Sequence, residues 1–247
     1  TIIGTPFFIM DHVVGNIYWE LLLPGCDPNQ RREIYLSMND TIAKLHNVDF
    51  DKVNLADYGK HENYMDRQIH RWTKQYKDSE TQMIPEINEL IEWLPKNIPS
   101  DQETTIVHGD FRLDNMIFDP ITHEVKAILD WELSTLGNPI ADFTYHMMSW
   151  RLPAGAKGLG MMGSDLKSLN IPSENEYAEL YYKKTGREKI DNWDFYMAYN
   201  IFRLAGIAQG IVGRVRDGTA SSSEAKNYEA FVPILGKLGW SIVEGIK

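Results

Sequence analysis

Apolar positions along the chain follow two rhythms. Ile34, Met38, Ile42 and Leu45 recur every three or four residues and predict one buried helix face. Asp27-Pro28-Asn29-Gln30 supplies the start of that helix. Asp27 is the N-cap, Pro28 takes the first helical position, where no N–H is needed, and Gln30 stands at the capping-box position. Two further helices are predicted over about 62–78 and 84–94. The second carries Ile84, Ile87, Leu90, Ile91 and Leu94 on its apolar side and stops at Pro95. Ahead of them Phe7-Phe8-Ile9-Met10, bounded by Pro6 and Asp11, predicts a short buried strand, followed by a loop with Gly15, Pro24 and Gly25. The rhythm changes at Thr104. Thr104-Thr105-Ile106-Val107, Met116-Ile117-Phe118 and Val125-Lys126-Ala127-Ile128-Leu129 predict strands, with a turn at Asp119-Pro120. After Pro139 helical patterns return and continue to the end. Strand, helices, a compact set of short strands and helices again is an α+β order, not a repeating βαβ. No internal repeat is present. The Gly/Met-rich stretch 155–163 and Ser221-Ser222-Ser223 predict loops.

Composition narrows the class. With 43% hydrophobic and 24% charged residues, the 247-residue chain can bury a sizeable core. A net charge of −10 argues against a nucleic-acid partner, which would need a basic face to displace phosphate counterions. Cys26 is the single cysteine, so no intrachain disulfide can form, which fits a reducing, cytoplasmic setting. No apolar run approaches the ~20 residues of a membrane span, and no basic-then-apolar signal opens the chain. Thr1-Ile2-Ile3-Gly4-Thr5-Pro6 reads like the inside of a domain, with the natural N-terminus lying elsewhere.

Candidate chemistry concentrates in His108-Gly109-Asp110-Phe111-Arg112-Leu113-Asp114-Asn115 and in Leu129-Asp130-Trp131-Glu132. Phosphoryl transfer needs a carboxylate that orients the acceptor hydroxyl and takes its proton. It also needs oxygen ligands for Mg²⁺, both held on a stiff frame. Asp110 and Asn115, five apart on a loop between strands, can converge on one cleft, and Asp130 can enter from the next strand. A hard cation prefers such oxygen donors. Singly, each residue also fits a turn cap, an Asx-turn or a strand end; the joint spacing carries the reading.

This pattern resembles the protein-kinase catalytic loop and metal-binding aspartate. It resembles the aminoglycoside phosphotransferase and choline kinase superfamily more closely. There the loop reads His-Gly-Asp, with Asn five residues after the Asp and an Asp-Trp-Glu-like element after the next strand. The resemblance implies a kinase-like fold and an enzyme that uses ATP and Mg²⁺ to phosphorylate a small-molecule hydroxyl. By motif Asp110 is the catalytic base, Asn115 and Asp130 are the metal ligands, and Arg112 neutralises charge on the transferred group. His108 is expected to hold the loop backbone, and Asp142 in Pro139-Ile140-Ala141-Asp142 to brace the loop. Glu132 fits both a brace and an acceptor contact. Met10-Asp11-His12-Val13-Val14-Gly15 resembles the hinge between kinase lobes. Adenine would use backbone groups of Asp11 and Val13 there, near Met10, with Ile117 and Leu129 as apolar contacts that are equally good plain core residues.

Arg67-Gln68-Ile69…Trp72, Leu129 to Gly137, and Ala205-Gly206-Ile207-Ala208-Gln209-Gly210 resemble the phosphotransferase domains related to those fused to acyl-CoA dehydrogenases. That resemblance covers nearly the whole chain and implies a hydroxylated acyl acceptor, with Arg67 and Trp72 among its contacts. Acyl-CoA phosphates would want Arg67, Arg71, Lys74 or Arg203, which also read as helix-surface charge. Aminoglycoside or choline-like acceptors, and a non-catalytic pseudokinase or interaction domain, stay as alternatives. A protein kinase is disfavoured by Gly109 before the aspartate and by the lack of Asp-Phe-Gly and Ala-Pro-Glu. Gly158-Leu159-Gly160-Met161-Met162-Gly163 matches a nucleotide-loop pattern, but no strand precedes it and it follows the catalytic loop. A mobile loop near the acceptor pocket is expected instead.

Two regions are predicted: a hinge strand and linker over 1–15, and a C-terminal catalytic and acceptor-binding lobe over 16–247. The superfamily's glycine-rich loop, phosphate-binding lysine and partner glutamate all precede the hinge. The expectation is therefore an absent N-terminal lobe, weak ATP binding by the isolated chain, and self-association into a homodimer through apolar surface near Phe7 and Phe8.

Overall fold

A computed structural model describes residues 4, 7, 9–100, 103–155, 158–189, 191–219 and 227–246. Helix α1 spans Pro28–His46 and starts as its sequence dictates. The Asp27 carboxylate accepts the N–H groups of Asn29 and Gln30, and the Gln30 side chain accepts the N–H of Asp27. Ile34, Met38 and Ile42 are buried from it. Helices α2 (Tyr64–Ser79) and α3 (Pro85–Trp93) follow within two residues of their predicted bounds. Four short strands come next: β1 Thr105–Val107, β2 Met116–Phe118, β3 Val125–Ile128 and β4 Thr135–Gly137. They form two antiparallel pairs, β1 with β4 and β2 with β3, with Ile106 opposite Leu136 and Met116 opposite Ile128. Helices α4 (Pro139–Met147), α5 (Leu166–Leu169), α6 (Glu174–Thr185), α7 (Trp193–Arg216) and α8 (Phe231–Ile246) complete the chain.

Helix α7 is the axis of the core. It packs against α2, α4 and α8, and most of its length from Phe195 to Gly213 is buried. Gly213 lets Ser79 of α2 approach its backbone; a Cβ there would press on the Ser79 side chain. Strand β1 lies between α1 and α4, and β3 packs on α1, so both strand pairs are seated on helices.

The opening departs from its expected form. Phe7, Ile9 and Met10 lie in no strand and are exposed. No strand among the described residues pairs with them, and an unpartnered strand gains no ladder hydrogen bonds. Phe8 and Ser221-Ser222-Ser223 lie outside the described residues. Among the described residues the first backbone pairing with the body is at Asn16, which exchanges two hydrogen bonds with Phe118, at 2.8 and 2.9 Å. Strand β4 was not legible in the sequence. Three residues ending in glycine carry no period, and only pairing with β1 makes them a strand.

Candidate active site

Strand β1 delivers the chain to the loop 108–115, which β2 then carries away. The loop is gripped from below by α4, whose N-cap Asn138 accepts the N–H groups of Ile140 and Ala141, each at 2.9 Å. One turn in, buried Asp142 accepts the N–H groups of His108 and Gly109, each at 2.8 Å. Burial penalises that carboxylate's charge, yet His46 and these backbone donors hold it below its ordinary pKa. Gly109 has φ +82°, and a Cβ there would stand 2.5 Å from the Leu133 carbonyl oxygen, so only glycine fits. His108 Nδ1 accepts the N–H of Asp110 at 3.2 Å, which leaves the proton on Nε2 to donate to the Leu129 carbonyl at 2.9 Å. The Trp131 ring meets His108 edge-on at 4.9 Å. His108 and Asp142 therefore hold the loop backbone, as their positions in the motif imply.

Within this frame Asn115 Nδ2 donates to Asp110 twice, to its carbonyl at 2.9 Å and to its Oδ2 at 3.0 Å. Arg112 closes a bidentate pair with Asp114, and its Nε stands 3.9 Å from Asp110 Oδ1. Burial works against the Arg112 charge, but the two carboxylates outweigh it and hold the guanidinium firmly protonated. The Leu129 N–H donates to the Asn115 carbonyl at 2.8 Å, which sets the end of β3 beside the loop. Asp130 follows in the left-handed region (φ 62°), a turn that stops the strand and presents an exposed carboxylate with no ion pair among the described residues.

Beside this cluster lies a cavity of about 400 Å³. Arg112, Asp114 and Tyr145 form its polar side, and Trp19, Leu21, Leu204, Ile207 and Ile211 belong to a mainly apolar wall. Gly158 and Leu159 border it too, so the rejected glycine motif is a loop at this cavity.

The structure brings Asp110, Arg112, Asn115 and Asp130 to one edge and separates other candidates from it. Asp11 and Met10 are exposed and Val13 half-buried in irregular chain. That stretch leads into Gly15, where a Cβ would strike Phe118 and Ile117. The end of the hinge-like segment, Gly15, thus lies against Ile117, and Leu129 directly follows the paired strand β3. Glu132 is exposed in the turn after Asp130. Arg67 donates to the Lys60 carbonyl at 2.9 Å and faces a shallow hollow with His61 and Asn63, not the cavity. Trp72 is buried and does not line the cavity. Arg71 and Lys74 are exposed, Lys74 paired with Asp78. Arg203 overturns its surface reading: it is 5% exposed and donates from Nη2 to the Gly109 carbonyl. Asp114 and Tyr145 carry no role predicted from the sequence. The Arg112–Asp114 spacing was a local signal for the first; nothing local marked the second.

Residues 1–179 match the phosphotransferase enzyme family. The chain belongs to that family. Over 97% of its length the phosphotransferase chain is 45% identical to acyl-CoA dehydrogenase family member 10 of Mus musculus, of which it spans only 22%. A Ralstonia eutropha structure provisionally described as an aminoglycoside phosphotransferase superposes with a TM-score of 0.92. It is 48% identical and covers 96% of this chain and 72% of its own. A choline kinase of Cryptosporidium parvum shares the fold at a TM-score of 0.60 and 12% identity, over 95% of this chain and 71% of that one. The phosphotransferase fold here is kinase-like and mainly helical. No helix among the described residues is long and apolar enough to cross a membrane.

Proposed function

We propose that the chain is an ATP-dependent phosphotransferase that moves the γ-phosphoryl group to a hydroxyl of a small molecule with an apolar, acyl-type arm, such as a hydroxyacyl-CoA. The observation that carries this reading is the Asp110 carboxylate, anchored 3.0 Å from Asn115 Nδ2 and set next to a largely apolar cavity. Asp110 orients the acceptor hydroxyl and takes its proton as the new O–P bond forms and ADP leaves. Arg112, held by Asp114 near Asp110, offsets charge on the group in transit. Adenine rests against Ile117 and Leu129 and uses the backbone of Asp11 and Val13 near Met10.

The residues suit Mg²⁺. Asn115 commits its Nδ2 to Asp110, which leaves its Oδ1 as an oxygen donor, and Asp130 adds an uncommitted carboxylate. Mg²⁺ is held by one or two carboxylates together with phosphate oxygens and water, and when bound it neutralises phosphate charge.

The cavity wall favours an acyl arm over a polycationic aminoglycoside or a choline-like cation. Among the described residues its one carboxylate, Asp114, is already neutralised by Arg112. The mouse relative, of which the chain spans 22%, is named for acyl-CoA, which supports an acyl-type arm. The test is ADP release from Mg-ATP by the native polypeptide with hydroxyacyl-CoAs, aminoglycosides and choline-like alcohols in parallel. Turnover confined to the cationic acceptors would overturn the acceptor class, and none with any acceptor would favour a pseudokinase.

A further inference from the structure

Arg203 is a cation buried in the middle of α7, and no carboxylate among the described residues forms an ion pair with it. Its Nη2 donates to the carbonyl of Gly109, the residue before Asp110, while its Nε finds no hydrogen-bond partner. Removing a guanidinium from water without a paired anion is costly. The compensation here is aromatic. Its Cζ lies 4.2 Å from the ring centre of Tyr145 and 5.2 Å from that of Trp72. Trp72 is in turn seated against the helix at Gly206, where its atoms come within 3.5 Å of an added Cβ position. A core leucine or methionine would fill such a site at less cost, so the buried charge calls for a role that packing alone does not supply.

Tyr145 connects this cation to the reacting edge. It stands on α4, is 3% exposed, and lines the cavity beside Arg112 and Asp114. Burial raises its pKa; Arg203 draws it down, and the charge of the nearby Asp110 carboxylate raises it further. The phenol is therefore an O–H donor at neutral pH, on the ring that Arg203 covers and at the cavity edge beside Arg112.

We propose that Tyr145 and Arg203 are a positioning pair for Asp110: Arg203 pins the Gly109 carbonyl and the face of the Tyr145 ring, and the Tyr145 hydroxyl fixes the Asp110 carboxylate. The inference rests on the phosphotransferase reading for its catalytic consequence. Asp110 is then held by two groups of independent origin, the Asn115 amide from its own loop and the Tyr145 hydroxyl from α4. The flat guanidinium is required because one group must both reach a carbonyl and lie against two rings; an ammonium cannot do both.

The variants are Tyr145→Phe, which keeps the ring under Arg203 and deletes only the hydroxyl, and Arg203→Lys, which keeps the charge and loses the planar fork. In the native polypeptide, with saturating Mg-ATP and a hydroxyacyl-CoA, each is expected to lower kcat by about 10- to 100-fold, the scale of a misplacement near 1 Å. KM for ATP should stay within about twofold, because the pair does not touch nucleotide. Tyr145→Phe should also keep its Tm, which separates positioning from support of the fold. Amide hydrogen exchange over 108–111 should rise in Arg203→Lys while α3 is unchanged. Wild-type kcat in both variants, or a loss of kcat matched by a rise in KM for ATP or a fall in the Tm of Tyr145→Phe, overturns the proposal. Should the wild type turn over no acceptor, the functional reading fails by itself and exchange decides. Faster exchange at 108–111 in Arg203→Lys then supports the clamp, and unchanged exchange refutes it.

Discussion

His46 Nε2 lies 3.2 Å from Asp142 Oδ2, and neither side chain reaches solvent. His46 Nδ1 is 2.7 Å from the Tyr181 hydroxyl, so the ring accepts a hydrogen bond from tyrosine and donates one to the carboxylate that braces the loop. A chain of three side chains from α6, α1 and α4 thus ends on the backbone of His108 and Gly109.

Asp142→Asn should lower unfolding stability by about 3 kcal/mol, the scale of leaving a buried hydrogen-bonding group unsatisfied. Its amide would bring N–H donors toward the N–H groups of His108 and Gly109. Urea denaturation checks this; an unchanged midpoint would mean that the loop does not depend on the carboxylate.

Gly109→Ala meets two obstacles at once, a φ of +82° and the Leu133 carbonyl. Expected is a loss of more than the ~1 kcal/mol of an ordinary glycine-to-alanine strain, together with displaced residues 133–134. A crystal structure of the variant with an undisturbed loop would contradict the account of Gly109.

Asp110→Asn should remove most turnover, about 10²- to 10⁴-fold for loss of a general base, while ATP binding stays nearly intact. Asp130→Ala should weaken Mg²⁺-dependent nucleotide binding more than Asn115→Ala, because a carboxylate neutralises the cation and an amide does not. Asn115→Ala should instead depress kcat through Asp110, which it holds at 3.0 Å. Calorimetric Mg-ATP titrations beside steady-state rates separate the roles; reversed effects would reassign them.

Buried His146 has its pKa lowered by burial to about 3, against which the Asp142 charge works weakly. Its folded pKa lies below that of the unfolded chain, so between the ordinary histidine value of about 6.5 and about 3 the unfolded state binds the extra proton. Stability is full above that window and falls as pH drops through it. His46, lowered in the same direction by burial, adds to the slope. Tm measured from pH 7 to 4 should therefore fall, and His146→Gln should flatten the fall whatever its absolute Tm.

Ile207 faces the apolar wall of the cavity. Ile207→Trp should raise KM for long hydroxyacyl acceptors by about tenfold or more, equivalent to ~1.4 kcal/mol of lost binding, with KM for ATP unchanged. Equal kinetics for short and long acceptors in the variant would place the acyl arm elsewhere.

The sequence by itself determined what neighbours within a few residues decide. Asp27, Pro28 and Gln30 start α1 because a cap and its partners lie within one turn. The Asp110–Asn115 spacing was legible because a short loop between two strands leaves little choice but convergence. The turn at Asp119 was legible because its carboxylate accepts the N–H groups of Ile121 and Thr122. Tertiary structure alone decided the rest. The apolar opening reads as a buried strand, yet burial requires a partner that no local pattern can announce. Arg203 reads as surface charge among helical residues. It is buried because its guanidinium meets Gly109, 94 residues away, and the rings of two other helices. Tyr145 lies in a run of core residues, and only the crossing of α4 beneath the loop sets its ring against Arg203 and at the cavity beside Arg112. Capping, turns and short loops are settled by chain geometry over a few bonds. Burial of a charge and the approach of helices are settled by packing across the whole fold, and such contacts leave no period in the sequence.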